Sequence, residues 1–265
     1  MNDAKVKVLT LLNEKGGVGK TTLATHIAAG LAMKGNRVVL VDSDPQGHAT
    51  ISLGFSKAPS FHDLLVRWAP WHDMILPVPV ERYSSADAPS QGELYIVPGN
   101  IESRAIPMLI EDSMTVTYRI EELEGLIDVV VFDTSPTPSL LHGSIYLATD
   151  AVLFPVVPSA LAIDGLIESS KHREAGNAER NRLNMGDIKV AGIIPNMYRE
   201  GHNAHDFGLK VLTSRFKSVM WGPLPERTEY QKASYAKKAI WAWNPQHEAA
   251  ALMGSVVERA GKVIA

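Results

Sequence analysis

Six short runs of apolar, largely β-branched residues recur along the chain: "VKVLTLL", "RVVLVDSD", "ELYIVPG", "DVVVFDTSP", "AVLFPVVP" and "VAGIIPN". Each is almost continuously hydrophobic and does not alternate with polar positions. That is the pattern of parallel strands covered on both faces by helices. Between the first two runs, Ala24, Ile27, Ala28 and Leu31 recur at helical spacing from Thr21 to Lys34, and Gly35 follows as a C-terminal cap. The order strand, loop, helix, strand is therefore expected near the start of the chain. Residues 57–92 break the pattern, with Pro59, Pro70, Pro77, Pro79 and Pro89 set around Trp68 and Trp71. Short helices and an irregular connection are expected there, with the two tryptophans as a local hydrophobic anchor.

Composition narrows the class. At 265 residues the chain is near the upper limit of one hydrophobic core, so a single α/β domain over residues 1–265 is expected. The chain contains no cysteine, which excludes disulfides, iron–sulfur clusters and thiolate zinc sites and fits a reducing compartment. The opening "MNDAKVKVLTLLNEKGG" reads as a strand leading into a loop, not as a signal peptide. No run reaches the roughly 18 apolar residues that would span a bilayer, so a cytoplasmic protein without integral membrane association is expected. Net charge is −3, yet from Lys210 to Lys238 seven basic residues stand against Glu226 and Glu229. The chain is polarised, with a cationic end.

The chemistry concentrates in "NEKGGVGKTT", Asn13 to Thr22. Gly19, Lys20 and Thr21 complete the second half of a phosphate-binding loop, G-x-x-x-x-G-K-[ST], but Glu14 stands where the first glycine belongs and a second lysine, Lys15, follows it. Backbone N–H groups from Gly16 through Gly17, Val18 and Gly19 to Thr21 are placed to wrap a β-phosphate at a helix N-terminus. Lys20 would bridge the β- and γ-phosphates, Thr21 would offer its hydroxyl to Mg²⁺, and Thr22 would reach the α-phosphate. In "VVVFDTSP", Asp133 ends a strand as a Walker B carboxylate, and in "VDSDPQG" Asp42 and Asp44 lie two residues apart. One of that pair suits the metal's shell and the other suits orienting a water.

"KGGVGKTT", "VDSDPQGHAT", "VVVFDTSPTPSLL" and "PVVPSALAIDGL", in this order, resemble the ParA/MinD superfamily of deviant Walker A ATPases, and most closely the ParA-type partition ATPases. The resemblance implies a P-loop NTPase fold, a twisted and mostly parallel sheet of about eight strands with helices on both faces. It implies ATP and Mg²⁺ as cofactors and an ATP-dependent sandwich homodimer in which Lys15 reaches the partner's phosphates. It makes Asp44 the water-positioning carboxylate, Asp42 its support, and Asp133 a metal holder through water, and it places Asn196 and Pro225 against adenine. Partners implied are nonspecific DNA of the nucleoid and a ParB-like adaptor or centromere-binding protein that stimulates slow hydrolysis. For DNA, the basic stretch offers Arg227, Lys232, Lys237 and Lys238 first, then Lys210, Arg215 and Lys217 as a helical face.

Other branches of the superfamily imply other roles. A protein cargo such as a carboxysome or chemoreceptor array keeps the same switch. A MinD-like membrane switch needs a C-terminal amphipathic helix with bulky apolar residues opposite lysines, whereas "EAAALMGSVVERAGKVIA" is dominated by small residues and reads as a helix packed on the domain. A metabolic ATP-dependent ligase needs a substrate pocket that the sequence does not reveal.

Overall fold

The computed structural model describes residues 5–265, with the side chains of residues 160–162 excepted; the first four residues of the N-terminal stretch lie outside the description. The six apolar runs form six parallel strands: β1 (Lys7–Leu11), β2 (Arg37–Asp42), β4 (Glu93–Val97), β5 (Val129–Asp133), β6 (Ala151–Val156) and β7 (Lys189–Pro195). A two-residue strand, β3 (Leu76–Pro77), pairs antiparallel to β4. The sheet order is β3-β4-β2-β5-β1-β6-β7, seven strands where the resemblance implied about eight. β3 comes from the proline-containing segment and survives there because an edge strand tolerates proline.

The helices are α1 (Lys20–Met33), α2 (His48–Ser52), α3 (Ser60–Val66), α4 (Trp71–Met74), α5 (Ile106–Leu109), α6 (Thr115–Glu121), α7 (Leu140–Ala148), α8 (Ala160–Arg182), α9 (Asn203–Phe216), α10 (Thr228–Tyr235), α11 (Ile240–Trp243) and α12 (Glu248–Ile264). Alternate residues of each strand enter opposite layers, as the two-residue period requires. Leu9 and Leu11 pack with Leu23 and Ile27 of α1 and Met253 and Val257 of α12. Val8 of the same strand packs on the other side with Phe61, Ile120, Phe132 and Ile145. A third cluster at the β6–β7 end joins Phe154 to Leu166 of α8 and Leu212 of α9. Both faces are buried, which is why the strand sequences do not alternate.

Residues 57–92 hold α3, α4 and β3, and the tryptophan pair is an anchor of a particular kind. The Trp71 indole N–H donates to the Arg119 carbonyl at 2.8 Å, and the buried Arg119 guanidinium lies 5.4 Å from the Trp68 ring and 5.8 Å from that of Trp71. The cation is held on α6 by the Glu122 carboxylate at 2.8 Å as well as by the rings. Only Trp71 is an anchor of the expected kind, since Trp68 is 53% exposed.

The C-terminal helix packs on the domain. Met253, Val257 and Ala260 are buried, and α12 crosses α1 so closely that a Cβ on Gly30 would lie 2.5 Å from a Val257 methyl. Gly30→Ala should therefore destabilise the protein by about 1–3 kcal/mol through overpacking, although alanine is the better helix former by about 1 kcal/mol. In a Val257→Ala background the same change should cost clearly less, with the Trp241 ring, 3.1 Å from the added Cβ, as the remaining close contact. Urea unfolding of the four proteins checks this; equal effects in both backgrounds would remove the contact as the cause.

Candidate nucleotide site

β1 stands between β5 and β6: the chain passes from β1 across β5 to β2, and later from β5 across β1 to β6, so its direction of winding reverses here. In open α/β sheets the crevice at such a reversal, at the carboxyl ends of the strands, is where ligands bind. Here it is a cleft of about 770 Å³ lined by Gly16, Gly17, Val18, Gly19, Lys20, Thr21 and Thr22, with Asp44 opposite. The loop following β1 becomes a concave cradle because Gly17 and Gly19 take left-handed conformations, φ 73° and 89°, on either side of Val18. Successive N–H groups in such a turn converge on an anion, and α1 begins directly behind them.

The two lysines of the loop go separate ways. Lys20, the first residue of α1, is buried, and its ammonium donates to the Asn13 carbonyl at 2.7 Å and the Lys15 carbonyl at 3.2 Å. Burial pulls its pKa down, while Asp133 and Asp44 pull it back up. Lys15 is exposed and is absent from the lining of its own cleft.

Strand register brings the carboxylates together. Asp133 lies level with Asp42 across the β5–β2 pair and with Leu11 across the β5–β1 pair. Both oxygens of Asp133 are buried without a hydrogen-bond partner. The Thr21 hydroxyl is near enough to favour its ionised form without completing a bond; burial dominates and raises its pKa well above the carboxylate range, and Asp42 adds to the rise. Asp42 has one oxygen engaged by the Thr50 backbone N–H at 2.8 Å and the Thr50 hydroxyl at 2.6 Å, and its Oδ1 has no partner. Burial pushes Asp42 up to about 6, against the Thr50 hydrogen bonds and assisted by Asp44. Asp44 lines the cleft, and its Oδ1 accepts from the Gln46 N–H at 2.8 Å. Of the expected pair, then, Asp44 faces the cleft, whereas Asp42 is turned inward and half committed to the start of α2.

Three buried carboxylate oxygens without partners, beside the Thr21 hydroxyl, are what a hard, oxygen-seeking cation requires, and Mg²⁺ fits this donor set. Asn196 is buried, and its amide donates to the Val18 carbonyl at 2.8 Å. A Cβ on Gly19 would come within 2.2 Å of that amide nitrogen, so Asn196 braces the loop and the position requires glycine. Asn196 and Pro225 line one small cavity of about 50 Å³ with Thr22 and Tyr230.

Several lining residues were not singled out in the sequence. His142 is held by Ser139 at 3.1 Å and the Ser135 carbonyl at 3.0 Å, and burial lowers its pKa, so it faces the cleft as a neutral imidazole. Ser103 and Arg104, in the turn after β4, close the far wall. The motif stretches around Asp44 and Asp133 pointed to Gln46 and Thr134, but nothing in "GNIESR" marks chemistry.

The basic residues are not brought to this cleft. Arg227 pairs with Glu248 at 2.7 Å and Lys232 with Glu229 at 2.6 Å. Lys237 and Lys238 follow α10, and Lys210, Arg215 and Lys217 are exposed; among the described residues none of these five makes an ion pair. Lys210 and Arg215 do not form the expected single helical face: five residues is about 140° around a helix, and α9 ends at Phe216, leaving Lys217 in the following turn.

A glycine cradle at a helix start, a buried lysine and strand-end carboxylates define a P-loop ATPase using ATP and Mg²⁺. The AAA domain family AAA_31 matches residues 6–182, and the chain belongs to it, within the ParA/MinD superfamily. It is 28% identical over 251 residues to the sporulation initiation inhibitor protein Soj of Bacillus subtilis, covering 92% of this chain and 94% of that one. It is 30% identical over 242 residues to the chromosome-partitioning ATPase Soj of Thermus thermophilus, covering 89% and 88%. In fold it is similar to the cobyrinic acid a,c-diamide synthase of Mycobacterium smegmatis solved with an ATP analog and magnesium, with TM-score 0.76, 23% identity and coverage of 96% and 93%.

The Asp42 position yields a pH-dependent prediction. A carboxyl raised from 3.8 to about 6 by burial penalises the folded state fully above pH 6, and the penalty disappears as pH falls through 6 toward the unfolded value near 4. Asp42→Asn keeps an acceptor for Thr50 and removes the charge. Without nucleotide or Mg²⁺, it should be more stable than wild type at pH 8 by on the order of 3 kcal/mol, with the gain shrinking toward pH 4. Urea unfolding across that range measures it; a gain independent of pH would mean that Asp42 is not ionised against its environment.

Proposed function

We propose that the chain is an ATP-dependent dimerising switch that binds DNA without sequence preference and positions plasmid or chromosomal DNA, with slow hydrolysis stimulated by a ParB-like adaptor. One observation carries the reading: two lysines of a single loop are separated, Lys20 buried inside its own cleft and Lys15 exposed outside it. A cation displayed beside a phosphate cradle, yet outside its lining, suits a triphosphate in a second subunit. The nucleotide is then the link between subunits.

Within one subunit, Gly16 to Thr22 would hold the phosphates, and Thr21, Asp133 and the free oxygen of Asp42 would hold Mg²⁺ or its water shell. The metal would neutralise charge on the phosphates and relieve the uncompensated carboxylates. Asp44, partly pinned by Gln46 and facing the cleft, would orient the attacking water and accept its proton. Asn196 holds the loop through Val18, and Pro225 and its neighbours would flank the base. The protein would act in the cytoplasm, on the nucleoid.

For DNA, the ion pairs shift the choice. Arg227 and Lys232 are neutralised by Glu248 and Glu229, which leaves Lys237, Lys238, Lys210, Arg215 and Lys217 as the available cations. One subunit offers few phosphate contacts and a dimer doubles them, which makes DNA binding follow nucleotide state. The membrane alternative draws no support from α12, whose apolar face is buried against α1.

Two measurements test the proposal. Lys20→Ala should abolish tight nucleotide binding. Lys15→Ala should still bind ATP as a monomer and lose ATP-driven dimerisation in sedimentation; a normal dimer with normal turnover would remove the trans-acting role. Arbitrary duplex DNA, titrated across a salt series with ATP and with ADP, should bind only with ATP, with a log-log slope near −0.9 per contacted phosphate. The slope should shallow when Lys237 and Lys238 are both changed to alanine. Binding equally strong with ADP would contradict the switch, and an ATP dimer without DNA affinity would favour a protein cargo.

A further inference from the structure

α8 meets the deviant half of the phosphate loop along one stripe. Gly165, Ser169 and His172 follow the i, i+4, i+7 spacing of a single helix face, and each touches the turn from Asn13 to Lys15. The Glu14 N–H donates to the Ser169 hydroxyl at 3.1 Å, whose own hydrogen goes to the Gly165 carbonyl at 2.8 Å. His172 Nδ1 donates to the Glu14 carboxylate. At Gly165 the turn lies directly on the helix backbone: a Cβ there would stand 3.1 Å from Asn13 Oδ1 and 3.3 Å from Lys15 Cβ.

The turn is tied from within as well. Asn13 donates through Nδ2 to the Pro155 carbonyl at 2.8 Å and accepts the Lys15 N–H at 2.8 Å. The carbonyls of Asn13 and Lys15 hold the Lys20 ammonium. Glu14 thus has a physical reason to stand where other phosphate loops carry glycine: its side chain reaches across to α8. With the turn held on the helix side, the Lys15 side chain is left to project to solvent.

We propose that the stripe Gly165, Ser169 and His172 is a positioning platform for Lys15, gripping Glu14 so that the exposed lysine is presented in a fixed place to a second copy of this chain. The inference rests on the trans-acting reading of Lys15. Preorganisation is the physical content: an exposed lysine loses conformational freedom on docking, and a turn fixed beforehand reduces that cost. None of the three lines the nucleotide cleft, so they act through the turn and not as catalytic residues.

The test uses the full chain with Gly165→Ala, Ser169→Ala, His172→Ala and His172→Gln, each alone and with Lys15→Ala. ADP affinity is read with a fluorescent ADP, ATP-driven self-association by sedimentation, and integrity by thermal melting. ADP affinity should stay within about twofold. Self-association should weaken roughly three- to tenfold for each of the three alanine variants, through one lost hydrogen bond at Ser169 or His172 and through the added Cβ pressing the turn off the helix at Gly165. His172→Gln, which keeps an N–H donor, should restore most of it. In the Lys15→Ala background the platform changes should add nothing. Normal self-association of the platform variants, with Lys15→Ala defective, would overturn the platform and leave the lysine's role standing. Normal self-association of Lys15→Ala would overturn both. Loss of ADP affinity in parallel with melting temperature would show a merely structural role and overturn the platform alone.

Discussion

A carboxylate with both oxygens buried and neither hydrogen-bonded is costly to keep ionised, and Asp133 is such a group at the centre of this molecule. Its position follows from the sheet. Parallel pairing of β5 with β1 and β2 sets Asp133 level with Leu11 and Asp42, at the point where the loop from β1 turns into α1. The two inner carboxylates repel each other, and both are further disfavoured by burial. The buried Lys20 offsets them only in part, since its ammonium is committed to two loop carbonyls. Charge is missing from this site, and its binding partners supply what is missing: a cation for the carboxylates and a polyanion for the lysine and the N–H cradle. The electrostatic cost of the site and its affinity for a cation and a polyanion are therefore linked.

The same constraint organises what surrounds the site. Asn196 from the end of β7 secures the loop at Val18, Thr50 secures Asp42 and also accepts the Gly99 N–H at 3.1 Å, and α8 secures Glu14. Three different elements thus hold the walls of a cleft whose floor is electrostatically unfavourable. Holding them from outside leaves the Gly16–Thr21 N–H groups and the Asp133 oxygens free for ligands. It also leaves Lys15 exposed and outside the cleft.

The sequence made the buried centre legible and the rim much less so. Six strands could be read because parallel strands covered on both faces are continuously apolar, and α1 because its apolar spacing ends at Gly35. β3 could not, being two residues long with a proline. Asp42, Asp44 and Asp133 were visible as acids ending apolar runs, but that Asp42 turns inward to Thr50 depends on where α2 begins. Ser103 and Arg104 reach the cleft from a turn without motif chemistry. Arg227 looked available for DNA because its partner, Glu248, lies 21 residues away on another helix. The platform on α8 was invisible for the same reason: the 4 and 3 spacing of Gly165, Ser169 and His172 means nothing until the loop that it meets is in place.

The claim that one subunit completes the site of another is tested most directly by mixing two defective proteins. Lys15→Ala retains an intact cleft and has no lysine to give, whereas Asp44→Ala gives its lysine but cannot orient water in its own cleft. Each alone should hydrolyse ATP poorly. A mixed dimer holds one cleft with its own Asp44 and the partner subunit's Lys15, so hydrolysis measured on the mixture should rise well above the sum of the two parts. If the mixture shows only that sum while mixed dimers form, Lys15 serves its own subunit and the account is wrong.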